Sequence, residues 1–501
     1  MSGLAPFFGD VTWLSLDGYQ ELASQLAPVG FAVAIAVIAV NGLQYLIYTV
    51  QLLLAGLTLL RRPVITSSHS LQWLYSDVIL PVSLIIPAYN EQATIVGAAR
   101  SLLRLRYPLL EVVVVNDGSI DDTLETLNEA FDLQRVERAY KLKLEHAPIR
   151  EVYRSRRDPR LVVVDKENGG SKGDALNAGI DIARMPLIAS LDGDSLLEKD
   201  SLIRIVHPFI EDPDRVIAVG GTVRVMNDCE VREGKVVRVK LPRSWLARFQ
   251  ALEYLRAFLI GRLGWDQLKS LTLIPGAFGV FRRDAVIEAG GFHTRTLGED
   301  FELVTRLHHH FLANNKDYRI VFVPEPVCWT QVPERLGDLM GQRIRWQRGA
   351  LETLFNHKRM LIDPRAGRVG FLGLGPIVVV DLLAPIAETL GYILLPFFWF
   401  IGALDPMWFA AFLALIFAYS VFISLGSLIL EELELKRFPK ISDLLRLSVT
   451  ALLENFGYRQ INNLWRIAGT WQFLRGKRSR WGNIQRKRIA MHSKAKREGN
   501  D

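Results

Sequence analysis

The sequence predicts an α/β protein: a Rossmann-like sheet of mainly parallel strands, held at a membrane by apolar α-helices and flanked by interfacial helices. Three observations predict it. Short β-branched runs alternate with amphipathic stretches between residues 82 and 191, each run ends in polar residues, and uncharged apolar segments lie on both sides of the region. Strands buried on both faces by crossover helices read as continuous apolar runs, and ligands gather beyond their carboxyl ends.

Taken in order, residues 28–60 come first and carry no charge. They exceed the ~20 residues a helix needs to cross about 30 Å of hydrocarbon, so a transmembrane helix, tilted or reaching into the headgroups, is expected. Residues 1–27 contain Asp10, Asp17 and Glu21 but no Lys or Arg, unlike the basic start of a cleaved leader. They are expected to be an extracytoplasmic N-terminus before a retained anchor. Arg61 and Arg62 follow the span, and the stretch from Arg475 to Arg497 holds ten Lys or Arg and no Asp or Glu. By the positive-inside tendency both are cytoplasmic. The net charge of +7 then belongs largely to segments facing anionic lipid, which argues against a nucleic-acid partner.

The strands expected next are Val82 to Ile86, Val112 to Val115, Leu161 to Val164 and Leu187 to Leu191. Between them, Ile95, Ala98, Ala99, Leu102 and Leu103 recur at helical spacing. Asp121 and Asp122 open a second helix, as acids at an N-terminus should, and Asp174 to Asn177 start a third. Residues 131–160 interrupt the series, with nine Lys or Arg from Arg135 to Arg160, and read as a solvated surface excursion. Residues 227–243 read as a hairpin insertion turning at Glu233-Gly234. Cys229 and Cys328 suggest neither a disulfide nor a metal site, and His308 to His310 read as a polar helix face. Farther on, apolar residues 371–404 and 407–430, parted by Asp405-Pro406 and interrupted by Asp381 and Glu388, read as a transmembrane hairpin. Residues 441–474 are amphipathic and read as an interfacial or re-entrant helix, with a further span as the alternative.

Chemistry is concentrated at the strand ends. Asp192-Gly193-Asp194 follows an apolar strand, where two carboxylates about a glycine can hold Mg²⁺ or Mn²⁺ while the backbone approaches a diphosphate. Asp117, in Asn116-Asp117-Gly118-Ser119, can accept the imide hydrogen of uracil. Each motif alone is also ordinary turn material. Downstream lie Gly298-Glu299-Asp300 and Gln342-Arg343-Ile344-Arg345-Trp346.

Together with Ile86-Pro87-Ala88-Tyr89-Asn90-Glu91 and Gly170-Ser171-Lys172-Gly173-Asp174-Ala175-Leu176-Asn177, this ordered set resembles the family 2 inverting glycosyltransferases. The nearest likeness is to the processive, membrane-embedded branch of cellulose, chitin-oligomer, hyaluronan and poly-N-acetylglucosamine synthases. The resemblance implies a GT-A-like nucleotide-sugar domain, a UDP-sugar donor and a saccharide acceptor. By it Tyr89, Glu91 and Asp117 bind uridine, Lys172 contacts the nucleotide sugar, Asp192 lies on the donor side, Asp194 holds the metal, and Asp300 beside Glu299 is the base. The family usually has Thr where this chain has Gly298. Gln342 is expected to hydrogen-bond donor or acceptor, Arg345 to grip the diphosphate, Trp346 to carry the acceptor sugar, and Gly276 to lie in the acceptor loop. An interfacial helix with Trp346 as its anchor is a compatible reading of that segment.

The expected division is 28–60 transmembrane, 78–335 cytoplasmic catalytic domain, 336–360 interfacial helix, 371–430 transmembrane hairpin, 441–474 interfacial or re-entrant helix and 475–501 basic cytoplasmic tail. The protein would sit in the cell (plasma or inner) membrane. Three spans are few for a polymer pore, so export would call on self-association, a partner protein or the region after Ile441. Two rival functions remain: a lipid glycosyltransferase adding one sugar, and a non-catalytic transport or scaffold protein on a degenerate transferase domain.

Overall fold

A computed structural model of the protein describes residues 16–61, 78–193, 195–232, 235–402, 404–434 and 441–476. Asp194, Arg62, the Glu233-Gly234 turn, residues 1–15 and the tail beyond residue 476 lie outside the described residues.

A ten-stranded sheet runs in the order β3-β4-β5-β2-β1-β6-β11-β8-β12-β7. At its centre β1 (Val82–Ala88), β2 (Leu110–Asp117), β5 (Leu161–Lys166) and β6 (Leu187–Ser190) are parallel. Every residue of β2 is buried, as the Val112 to Val115 run demands, and each such valine contributes about 1.5–3 kcal/mol by leaving water. Helices α2 (Ile95–Leu103), α3 (Thr123–Phe131) and α4 (Lys172–Ile182) make the crossovers. Helix α4 starts where the Ser171 side chain accepts a hydrogen bond from the Asp174 amide at 3.2 Å.

The rest of the sheet is mixed. Beyond β6, β11 (Gly279–Arg282) is antiparallel to both β6 and β8 (Val216–Val225); β12 (Arg319–Thr330) is parallel to β8, and β7 (Leu196–Leu197) closes that edge. At the other edge the expected surface excursion is in part sheet. β3 (Leu133–Arg135) and β4 (Ile149–Ser155) continue it antiparallel, with Val152 and Ser155 buried and the charged residues turned outward. Helix α5 (Ser201–Glu211) covers β8 and β12, and β9 (Glu230–Arg232) with β10 (Lys235–Arg238) forms the separate hairpin.

A helix α6 (Trp245–Leu255) runs through a π-helical turn, Arg256–Arg262, into α7 (Leu263–Gln267). Then come α8 (Arg283–Glu288), α9 (Glu299–Ala313) and α10 (Leu336–Asn356). Among the described residues three helices are long and apolar enough to cross a membrane: α1 (Leu16–Arg61) over Ser24–Arg61, α11 (Val369–Phe400), and α12 (Pro406–Glu434) over Pro406–Glu432. The last region is two helices, α13 (Ile441–Leu453) and α14 (Tyr458–Leu474), broken at Gly457. Each is shorter than the ~20 residues a crossing takes.

The two acids of α11 are paired rather than exposed. Glu388 receives Arg459 Nη2 at 2.6 Å and Asn463 Nδ2 at 2.7 Å, and Asp381 lies 3.2 Å from Arg466, so α14 neutralises both acids of α11. Glu431 of α12 pairs with Arg224 of β8, both buried, which fastens a membrane-capable helix to the sheet.

Candidate active site

The carboxyl ends of β1, β2 and β6 meet the N-termini of α4 and α9. Lys172, first residue of α4, is buried and donates to Asp192 Oδ1 at 2.6 Å and to the Gly276 carbonyl at 3.2 Å; Glu299 Oε1 lies 3.5 Å away. Burial alone would lower the Lys172 pKa, but Asp192 and Glu299 hold it well above the ordinary value. The Gly276 amide in turn donates to Asp300 Oδ2 at 2.9 Å, and the Phe301 amide to Oδ1 at 2.8 Å. Five residues expected from sequence, Lys172, Asp192, Gly276, Glu299 and Asp300, are therefore one connected cluster. Burial pushes the Glu299 carboxyl up to about 6, Lys172 pulling it back.

A second cluster adjoins it. Asp117 Oδ1 accepts from Lys166 Nζ at 2.5 Å and from the Gly169 amide at 3.1 Å, and Lys166 reaches Asp174 of α4 at 2.5 Å. Burial pushes the Asp117 carboxyl up, against the pull of Lys166. Gly118 has φ +63°, and a Cβ there would lie 2.7 Å from the Asn168 amide nitrogen. The loop with Tyr89 and Glu91 is tied to this one: the Asn90 amide donates to Ser119 Oγ at 3.0 Å, and the Glu91 amide to Thr123 Oγ1 at 2.9 Å.

Helix α10 closes the site from the side of α9. A Cβ on Gly349 would sit 2.7 Å from the Gly298 nitrogen, so α10 packs backbone to backbone on the start of α9. That contact accounts for glycine in place of the family's threonine at 298. Glu352 Oε2 of α10 accepts from the Leu297 amide and Thr296 Oγ1, each at 3.0 Å.

Within α10 the motif residues part company. Arg343 is buried and pairs with Glu253 of α6, which also accepts from Tyr458 OH at 3.0 Å and Asn462 Nδ2 at 3.1 Å. Its guanidinium lies 4.7 Å from the centre of the Trp346 ring, which is 46% exposed. Gln342 is half-buried, with Oε1 enclosed and accepting no hydrogen bond among the described residues. Arg345 is half-buried and engaged with other groups. No direct bond joins Gln342, Arg345 or Trp346 to the Asp300 cluster among the described residues.

Sequence reasoning missed several site residues. Lys166 carried a usable signal, since it ends β5 directly beside Asp117 in register. Glu253 and Arg262 lie in a helix no motif marked. Burial pushes Arg262 down to about 10, with Asp300 the main opposing charge, and its Nε is enclosed without a hydrogen-bond partner among the described residues. The histidine reading needs correction: His308 is buried, 2.7 Å from Tyr318 OH and 2.8 Å from the Leu271 carbonyl, and burial pushes it down to about 4. It is a neutral core residue because its face of α9 packs inward.

Among described residues no three His, Cys, Asp or Glu side chains gather as a metal cage. The donor set still suits a hard cation. Magnesium-type ions take one or two carboxylates and complete their shell with substrate phosphates, and Asp192 keeps part of its carboxylate surface open.

Residues 187–423 match the model of glycosyl transferase family group 2, and residues 83–288 that of glycosyl transferase family 2. A poly-β-1,6-N-acetyl-D-glucosamine synthase of Staphylococcus aureus (strain COL) is 29% identical over 280 residues, 56% of each chain. That of Staphylococcus epidermidis is 29% identical over 275 residues, 54% of this chain and 55% of its own. The match thus spans little more than half the length of these relatives. A mannosyltransferase from Pyrobaculum calidifontis, solved with GDP-Man and Mn²⁺, covers 89% of this chain at 18% identity with a TM-score of 0.53, which establishes the shared fold. The fold is therefore GT-A-like. The two matched regions together run from residue 83 to residue 423 and mark the chain as a glycosyltransferase, similar in sequence to polysaccharide synthases over little more than half its length.

Proposed function

We propose that the protein is a membrane-bound inverting transferase that moves a sugar from a UDP donor to a growing oligo- or polysaccharide, forming β linkages. The observation that carries this reading is the Lys172, Asp192, Gly276, Glu299, Asp300 cluster at the strand ends, in a chain with three membrane-capable helices. Inversion is one in-line displacement at the anomeric carbon. It needs a base for the acceptor hydroxyl and positive charge for the departing diphosphate.

Asp300 takes the acceptor proton on Oδ2, held in place by the Gly276 amide. Lys172 orients the Asp192 carboxylate and meets the nucleotide sugar. Asp117, fixed through Oδ1 by Lys166, offers its other oxygen to the uracil imide, with Tyr89 and Glu91 beside the base and ribose. Asp192 and Asp194 would hold Mg²⁺ or Mn²⁺, which supplies positive charge opposite the leaving group. Gln342 offers its enclosed carbonyl oxygen to a hydroxyl of donor or acceptor, Arg345 grips the diphosphate, and the exposed face of Trp346 supports the acceptor sugar. The catalytic domain faces the cytoplasm, where UDP-sugars are made.

The test is UDP release by membranes containing the protein, across a panel of UDP-sugars with Mg²⁺, Mn²⁺ or a chelator, with the labelled product sized. Donor-specific, chelator-sensitive release with a long product is expected. A single sugar in the lipid extract would instead assign the one-addition lipid reaction, and no release with any donor from folded protein would overturn the catalytic reading.

A further inference from the structure

We propose that a second site, at the opposite end of the sheet from the catalytic cluster, binds a small phosphate-bearing anion through Lys143, Arg184, Arg282 and Arg283. These residues line a cavity of 510 Å³ together with Asp284 and Glu288. The volume falls within the range of about 300–1,000 Å³ typical of small-molecule sites. In register, Arg282 lies beside Leu187 at the start of β6, whereas Asp192 follows the end of that strand. At about 3.3 Å per residue the two places are roughly 15 Å apart.

Four cations converge there, and none has a carboxylate partner among the described residues. The nearby acids are committed elsewhere. Glu111 pairs with Arg138 at 2.7 Å, accepts from Ser83 at 2.6 Å and takes the backbone amide, not the guanidinium, of Arg184 at 3.1 Å. Asp181 accepts the Lys143 and Leu144 amides and faces His146 at 3.5 Å. Asp284 accepts the Ala285 amide at 2.8 Å, and Glu288 lies 3.1 Å from His310 and also pairs with Lys316. The cavity therefore keeps an excess of positive charge.

Two of the cations are also held in place, which separates the cavity from an ordinary basic surface. Arg283 Nε donates to the Ile180 carbonyl at 2.8 Å and Nη2 to the Asp181 carbonyl at 3.3 Å. Arg282 Nε donates to the Val216 carbonyl at 2.8 Å, and its guanidinium stands over the Phe209 ring. Fixed guanidinium groups lose little freedom when an oxyanion arrives, and their remaining N–H groups suit phosphate oxygens. Met185 and Ile287 add an apolar wall for a non-phosphate portion of the ligand. None of the three membrane-capable helices lines the cavity, which favours a soluble anion over a lipid headgroup.

Inorganic pyrophosphate is the probe, applied to the full chain in detergent and followed by hydrogen–deuterium exchange with mass spectrometry. Lys143 and Arg184 are exposed and suit removal; Arg283 holds the Ile180 carbonyl in the last turn of helix α4, which begins at Lys172, so its loss would disturb the catalytic cluster. The expected result is saturable protection of residues 180–186 and 282–288, weakened about tenfold or more in concentration dependence by Lys143→Ala with Arg184→Ala, and weakened by salt. Protection confined to the strand ends near Asp117 and Asp192, or equal protection in the double variant, would overturn the proposal. Donor turnover by the double variant serves as the check that it is folded.

Discussion

Glu299 carries the sharpest prediction at the scale of one residue. Its carboxyl is pushed from 4.5 to about 6, so between those values the folded chain holds a proton that the unfolded chain has released. Its contribution to stability is therefore full at low pH and falls as pH rises through that window. Above pH 6 the carboxylate is ionised beside Lys172, the form the catalytic reading needs. The pH profile of kcat/KM should rise through an apparent pKa near 6, and Glu299→Gln should remove that inflection; an unchanged acid limb would detach Glu299 from the site. Legibility at this scale followed local context. Lys172, Asp192, Glu299 and Asp300 stand at strand or helix ends where turn chemistry and charge coincide, and they meet in space. Arg343 and His308 were misjudged or passed over because a polar residue's burial depends on partners far along the chain, Glu253 and Tyr318 here.

Among the elements, the four parallel strands were legible because each is buried on both faces and so is continuously apolar. β3 and β4 were not, since strands at the margin of the sheet keep one face in water and their charges hide the alternation. The long region after Ile441 was legible as amphipathic but not as two helices, the break being set by Gly457 with φ +96°. The bond between sheet and membrane helix is an element-scale feature no pattern revealed. Arg224 and Glu431 are both buried, and removing one charge leaves the other unpaired at a cost of about 3–5 kcal/mol. Glu431→Ala should lower the Tm in detergent far more than removal of an exposed charge such as Arg135→Ala. Equal shifts would show that the pair does not hold α12 to the sheet.

For the whole molecule, the GT-A-like fold and the glycosyltransferase class were legible from motif order, while the mixed half of the sheet was not, because β11, β8, β12 and β7 pair out of sequence order. The arrangement across the membrane is a proposal resting on basic residues beside the spans. A cysteine placed at Asp405, between α11 and α12, should react with an impermeant thiol reagent in intact cells. One placed at Arg104, just past α2, should react only after permeabilisation, and the reverse pattern would invert the topology. In the proposed reaction this membrane-bound fold transfers sugar with Asp300 as the base. The most direct measurement is turnover of the preferred UDP-sugar by Asp300→Asn beside its affinity for UDP. With Asp300 as the base, kcat should fall about 10²–10⁴-fold while UDP affinity stays unchanged. Turnover near the wild-type rate in a folded Asp300→Asn protein would contradict it.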